Sequence, residues 1–450
     1  MNDITYDLIT LGAGSGGVAA SRRAATHGAK VAIVEGRRVG GTCVLRGCVP
    51  KKLLMYAAQM HDAFDEARGY GWSLDAPTFD MARWAAAKAA ETARLEGVYR
   101  TLLRDSGVTL IEGWARLEDD RTVVVGGQRL RARHVLIATG SSPVTDSIPG
   151  IEHCATSDDL LDLHALPRRA AVIGGGFIAV EFASMLCRLG VEVTLFFRDR
   201  APLRGFDEML RSGASSALQD AGVALRPGVV PAQVQRMDSG LRLRFKDHCL
   251  DFDWVLNATG RRPNTQGLDL ALDARGAVPV DDSLQTTLPG VYAIGDVTNR
   301  KNLTPVAIAE GRALADSLFG PTPRRVDLSL VPSAVFMLPP IGTVGPTEAE
   351  ALAAGHTLRV YEASFRPMKQ AFVGGTERTQ MKLLVDDAKD RVLAAHMIGA
   401  DAPEIIQSLA VALTAGATKS HFDRTMALHP TAAEEFVLMR EPSRVAGTVS

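Results

Sequence analysis

One pattern occurs twice in this chain: a hydrophobic strand, a glycine-rich turn, an apolar helix and a second strand. In the first copy Asp7–Leu11 leads into Gly12-Ala13-Gly14-Ser15-Gly16-Gly17, a helix runs toward His27, and the strand Lys30–Val34 ends on Glu35. In the second, Ala170–Ile173 leads into Gly174-Gly175-Gly176-Phe177-Ile178-Ala179, a helix runs through Leu189, and Glu192–Phe197 follows. Each copy later reaches a strand ending in Ala-Thr-Gly, at Ala138-Thr139-Gly140 and at Ala258-Thr259-Gly260. Glycine permits the tight bend and lets the backbone approach a pyrophosphate, which then faces the positive end of a helix. A duplicated unit of this kind predicts two bound dinucleotides.

The expected fold class is α/β: two Rossmann-like dinucleotide-binding domains plus a C-terminal α+β domain. A largely helical stretch, rich in Ala and Arg, is expected between Tyr56 and Gly107. From about Leu330 the texture changes. Pro339-Pro340 and Gly342 interrupt short strands, and strand-like Gln380–Val385 and Val392–Ile398 lead into a helical Pro403–Gly416. The expected boundaries are 1–140 for the first nucleotide domain, 141–262 for the second, 263–329 for a return segment of the first, and 330–450 for the last.

The two copies end differently. Glu35 is placed to accept hydrogen bonds from a ribose. No acid closes the second copy; Arg198 follows Phe197, and Arg204 lies nearby. Cationic donors suit a ribose 2′-phosphate, so the pair favours NADP(H) over NAD(H).

Just after the first copy stands Gly40-Gly41-Thr42-Cys43-Val44-Leu45-Arg46-Gly47-Cys48-Val49-Pro50-Lys51. A dithiol beside a redox cofactor can pass two electrons to an external disulfide. On spacing alone, two inert buried thiols fit equally well. In a regular helix, residues five apart lie roughly 8 Å apart along the axis, beyond the ~7 Å Cα limit for a bridge. A disulfide here therefore requires loop or a distorted helical start, which Gly40, Gly41 and Gly47 permit. Lys51, if buried near a flavin, could stabilise negative charge on it with Glu181 as partner; an exposed lysine and glutamate fit the sequence as well. His429-Pro430-Thr431-Ala432-Ala433-Glu434 carries an imidazole suited to thiol–disulfide exchange, with a carboxylate able to fix its tautomer. A structural histidine before proline is the alternative.

Composition is that of a globular protein, with 46% hydrophobic and 22% charged residues and a formal net charge of −1. Such a balance gives no global field for nucleic acid or anionic membrane. Five cysteines are too few for a secreted disulfide scaffold. No metal site is expected, because no other cysteine lies in the first hundred residues. The acidic start Met1-Asn2-Asp3 lacks the basic region of a signal peptide, and no apolar run of about 20 residues occurs. A cytoplasmic protein is expected.

The segment Gly40–Lys52, Gly295-Asp296, the run Leu303-Thr304-Pro305-Val306-Ala307 and the terminal His429–Glu435 closely resemble the flavoprotein (FAD) pyridine nucleotide-disulfide oxidoreductase family. The match follows the family's order over nearly the full length. The resemblance implies FAD at the first unit, contacted by Gly12, Gly14, Ser15, Gly16, Glu35, Thr42, Lys51 and Asp296, with Thr139 and Thr304 beside them. It implies NADPH at the second, through Gly174, Gly176, Ile178, Arg198, Arg204 and Gly260, with Glu181 near the nicotinamide. It further implies a hydride relay ending on a Cys43–Cys48 disulfide, Cys48 nearest the flavin and Cys43 attacking the substrate. The last domain resembles the family's dimerisation domain. There the His429–Glu434 pair would complete the active site of the partner subunit in a homodimer.

Substrate identity rests on fewer residues. Ser15, Arg22, Tyr99 and Arg312 fall where members acting on glutathione disulfide contact that anionic molecule. Members acting on cationic trypanothione carry acidic and bulky residues where Ala19 and Arg22 stand here, and mercuric reductases add a C-terminal cysteine pair that is missing after Cys249. The competing readings are a reductase of another small disulfide (a glutathione amide, or a lipoamide-like molecule) and a flavoprotein redox sensor without disulfide turnover. Two departures stand out. Phe177 replaces the tyrosine usual at the nicotinamide lid, and Leu45-Arg46 replaces a more common Asn-Val. An inward-pointing Arg46 would lower the thiolate pKa.

Overall fold

The computed structural model describes residues 5–75 and 77–447; the acidic residues 1–4 lie outside them. The first unit is built on a sheet with strand order Thr109–Glu112, Val31–Glu35, Thr5–Leu11 and Gln128–Ile137, all parallel. Val291–Ala293 returns much later to pair in parallel with Gln128–Ile137. The second unit repeats the order with Ala224–Pro227, Glu192–Phe197, Arg169–Ile173 and Trp254–Asn257. In both, an antiparallel excursion separates the third strand from the last. It is Ala115–Leu117 with Thr122–Val125 in the first, and a separate three-stranded sheet, Gln233–Phe252, in the second. The strand order and the excursion together bear out the internal duplication.

Parallel strands buried on both faces need unbroken apolar runs. Val31, Ala32, Ile33 and Val34 are all buried in one copy, and Ala170, Ala171, Val172 and Ile173 in the other. The remaining sheet is six-stranded and antiparallel, in the order Ser333–Val335, Ile341–Val344, Val392–Ile398, Thr379–Asp386, Leu358–Phe365, Arg444–Ala446. The helix Ala402–Thr414 buries Ala402, Ile406, Ala410 and Leu413 against it. The helical stretch expected between Tyr56 and Gly107 is two helices, Cys48–Gly69 and Met81–Asp105. Asp80 caps the second, accepting from Arg83 N at 3.0 Å.

One apolar cluster crosses all three parts. Leu54, Met55 and Ala58 of the Cys48–Gly69 helix meet Val172, Phe182 and Met185 of the second unit and Val335, Met337 and Ile398 of the last sheet. That cluster fixes the start of the Cys48–Gly69 helix relative to the helix Phe177–Arg188. Among the described residues, no helix is long and apolar enough to cross a membrane.

Candidate active site

The two glycine turns are built alike. A Cβ on Gly12 (φ +105°) would lie 2.4 Å from the Ala138 carbonyl oxygen, and one on Gly174 (φ +139°) 2.2 Å from that of Ala258. Each Ala-Thr-Gly strand end thus presses its backbone against the first glycine of its turn. Helices Ser15–Thr26 and Phe177–Arg188 then begin on Gly14 and Gly176 in the same extended conformation, neither with a side-chain cap. Uncapped first-turn N–H groups with glycine around them fit a pyrophosphate. Gly17, which the sequence reading passed over in favour of Gly16, closes the first turn: its Cβ would fall 2.0 Å from Gly12 O. The spacing Gly12, Gly14, Gly17 was the signal. Gly16 also permits the approach of the Thr304–Phe319 helix at Ala307.

Glu35 accepts from Ala13 N at 2.7 Å on one oxygen and from Arg37 N at 2.8 Å on the other. Each oxygen retains a lone pair for a ribose hydroxyl. At the matching end of the second unit, Arg198 and Arg204 are exposed and carry no ion pair among the described residues, while Arg200 pairs with Glu208 at 3.2 Å. The donor sets fit a free ribose on one side and a phosphorylated ribose on the other. Ile178 is half-buried at the start of the Phe177–Arg188 helix, and Gly260 (φ +150°) accepts from Val144 N at 3.1 Å.

The dithiol segment is distorted as a bridge would require. A short helical turn, Gly41–Leu45, ends at Arg46, and a new helix starts on Cys48. Gly41 (φ +63°) packs against Gly14, where a Cβ would come within 2.6 Å of Gly14 Cα. The glycine turn and the dithiol loop are therefore pressed together, with exposed Thr42 between them and Cys43. Both cysteines are free thiols here, Cys43 half-buried and Cys48 exposed. The Cys43 thiol donates to Cys48, which holds Cys48 down at about 6, with help from Thr304 and the Lys51 charge. The same bond, together with burial, pushes Cys43 far up. Thr304 Oγ1 lies 3.4 Å from Cys48 Sγ, and Cys48 is the first residue of a 22-residue helix, whose dipole favours a thiolate.

Lys51 and Glu181 meet. They form a direct ion pair in which the Glu181 side chain is only 1% exposed, and Glu181 also accepts from Phe336 N at 2.8 Å. Lys51 lies over the rings of Phe336 (4.7 Å) and Phe177 (5.9 Å). A lysine and glutamate that looked equally suited to solvent are thus a buried pair joining the two nucleotide units, held by the apolar cluster behind them. Arg46 behaves otherwise. Its guanidinium turns outward to Asp158 at 3.4 Å, so the expectation of an inward charge beside the dithiol is corrected.

Ser15 Oγ is buried without a well-formed hydrogen bond, close to Cys43 and to the Tyr99 hydroxyl. Burial raises the Tyr99 pKa, opposed by Ser15. Arg22 is half-buried and Arg312 exposed. Thr139 spends its hydroxyl on the Asn264 carbonyl at 2.6 Å, so it ties the strand end to the return segment. Asp296 accepts from Ser141 Oγ at 2.8 Å, and Ser141 is itself held by Arg261 at 2.9 Å. Neither Ser141 nor Arg261 had a sequence signal, because they reach Asp296 only through a two-stranded crossing of distant segments. His429 Nδ1 lies 3.1 Å from Glu434, with the histidine side chain 81% exposed. Among the described residues this pair makes no hydrogen bond to the dithiol segment.

A chain with two dinucleotide folds around one dithiol belongs, by class, to the two-nucleotide disulfide oxidoreductases. Residues 6–311 match the model of the pyridine nucleotide-disulphide oxidoreductase family, and residues 331–440 that of its dimerisation domain; the chain is a member of that family, and its cofactors are FAD and NADPH. It is 47% identical over 446 residues to a glutathione reductase of Burkholderia cepacia, covering 98% of this chain and 99% of that protein. With a glutathione reductase of Nostoc sp. it shares 43% over 455 residues, 97% and 99% of the respective chains. The HOCl-induced flavoprotein disulfide reductase RclA of Escherichia coli superimposes with a TM-score of 0.87 at 28% identity, covering 96% of this chain and 99% of that one.

Proposed function

We propose that the protein is an NADPH-dependent glutathione-disulfide reductase, a cytoplasmic homodimer that maintains a thiol pool and binds neither nucleic acid nor membrane. The chain divides into 1–140 with 263–329 around FAD, 141–262 around NADPH, and 330–450 as the dimerisation domain. The observation that carries the reading is the asymmetric dithiol: Cys48 acidified at a helix start beside Thr304, Cys43 holding the proton. When bound, FAD and NADPH supply a hydride relay that delivers two electrons to this pair.

Gly12, Gly14, Gly16, Thr42, Glu35 and Asp296 would hold the flavin nucleotide. Gly174, Gly176, Ile178, Gly260, Arg198 and Arg204 would hold the nicotinamide one. Lys51, held in place by its ion pair with Glu181, would offer its ammonium to negative charge on the reduced flavin. Cys48 rests as thiolate, while Cys43 loses its proton to His429 of a second copy and attacks one sulfur of the substrate. A Cys43–glutathione mixed disulfide forms and the first thiolate leaves, protonated by that histidine. Cys48 then attacks Cys43, the internal disulfide closes, and the second glutathione departs as a thiolate that takes its proton from solvent. Atoms and electrons balance: one substrate disulfide becomes two thiols as the dithiol becomes a disulfide. Glu434 accepts the His429 Nδ1 proton and leaves Nε2 free for transfer. Sharing of the site between copies is supported by the exposure of His429 and by its apolar flank, where Met426 is 92% and Leu428 74% exposed. Arg22, Tyr99, Arg312 and Ser15 favour an anionic disulfide.

A panel of glutathione disulfide, lipoamide, trypanothione disulfide and mercuric ion, each with NADPH and NADH, tests the proposal. Glutathione disulfide with NADPH is expected to turn over fastest. Faster turnover of another substrate overturns the assignment, and no turnover of any favours the redox-sensor reading.

A further inference from the structure

Arg22 is held by a residue outside every motif described above. Its Nε donates to Ser106 Oγ at 3.0 Å, and the Ser106 hydroxyl donates to the Leu102 carbonyl at 2.7 Å. A hydroxyl has one hydrogen and two lone pairs. With the hydrogen committed to Leu102, Ser106 presents a lone pair to Arg22. Ser106 also caps the C-terminus of the 25-residue helix Met81–Asp105, whose negative end attracts a guanidinium. That helix carries Tyr99 as well, so one element positions two substrate-facing residues.

The neighbours of Arg22 are used differently. Arg23 pairs with Asp316, and His27 Nε2 lies 2.8 Å from the same carboxylate. They tie the Ser15–Thr26 helix to the Thr304–Phe319 helix. Both terminal nitrogens of Arg22 are uncommitted among the described residues, and its Nε, unlike that of Arg23, is spent on a neutral hydroxyl that leaves the guanidinium charge unpaired. A guanidinium can grip a carboxylate by its Nη1–Nη2 end or by its Nε–Nη2 side, and Ser106 occupies Nε.

We propose that Ser106 is a positioning residue for substrate recognition: it locks Arg22 so that the terminal fork, and not the side edge, receives a carboxylate of the anionic disulfide. The inference rests on the reading of Arg22 as a glutathione-binding residue. It is tested by steady-state kinetics of the Ser106→Ala, Ser106→Thr and Arg22→Leu holoenzymes. Each is assayed with glutathione disulfide and with its carboxylate-esterified form. Ser106→Ala is expected to raise KM for glutathione disulfide about three- to tenfold with kcat unchanged. Ser106→Thr should keep the wild-type value, and the ester should show one KM in all three proteins. A normal KM in Ser106→Ala beside a raised KM in Arg22→Leu overturns this inference alone. Normal values in both overturn the reading of Arg22 beneath it. An equal KM rise for the ester, or a joint fall of kcat and thermal midpoint, makes Ser106 a helix cap only and also overturns the proposal.

Discussion

The two nucleotide folds share a strand order and press the same glycine against the same alanine carbonyl, yet their turns face different surroundings. The first turn is crowded. Gly14 meets Gly41 of the dithiol loop, Gly16 meets Ala307, and Ser15 lies beside Cys43 and Tyr99. The second is open. A Cβ on Gly176 would touch nothing within 4 Å, and Phe177 beside it is 42% exposed. One duplicated scaffold thus provides a packed turn pressed against the dithiol loop and a second, accessible one.

The strongest way to break that contrast is to remove the dithiol that only the first turn touches. Cys43→Ser or Cys48→Ser should lower disulfide turnover by about a thousandfold or more, while flavin content, read by absorbance, stays normal. Turnover persisting in either variant would detach the crowded turn from the chemistry. At the open end, Arg198→Ala with Arg204→Ala should raise KM for NADPH roughly a hundredfold, two charge-assisted bonds being lost. KM for NADH should barely move.

Crowding itself can be probed by Gly41→Ala against Gly176→Ala. The first forces a side chain onto Gly14 and should lower both flavin retention and the thermal midpoint. The second should leave the midpoint unchanged, as measured by differential scanning fluorimetry.

Electrostatics at the dithiol gives smaller effects. Iodoacetamide alkylation of the reduced enzyme should rise with pH around a midpoint near 6, since Cys48 is thiolate above that pH and a poorly reactive thiol below it. Thr304→Val removes a bond to the thiolate and should move the midpoint upward. Arg46→Ala should leave it in place, because the guanidinium is turned to Asp158. A shift in that last variant would return Arg46 to the active site.

Much of this was legible in the chain. Glycine spacing, strand-terminal Glu35 and Arg198, and the Cys43–Cys48 interval each encode geometry over a few residues, where covalent connection limits the outcomes. The fold class and the duplication followed from them, whereas the reading of Cys43 and Cys48 as the redox pair rested on the resemblance to the family. Gly17 was readable from the same spacing, and missing it was an error of motif alignment. Arg46 could not be read, since its direction depends on an aspartate in another domain. The Lys51–Glu181 pair was equally hidden, because the helices that bear them meet only through the apolar cluster of Leu54, Phe182 and Met337.

By itself the sequence determined that two nucleotides flank one dithiol, and that one unit ends in acid and the other in arginine. Tertiary structure alone decided which side chains meet: Thr304 and Cys48, Glu181 and Lys51, Ser141 and Asp296, Ser106 and Arg22. The physical reason is range. Backbone preferences act over a turn or two of chain, whereas a hydrogen bond between residues 84 or 256 positions apart exists only after the cores have packed.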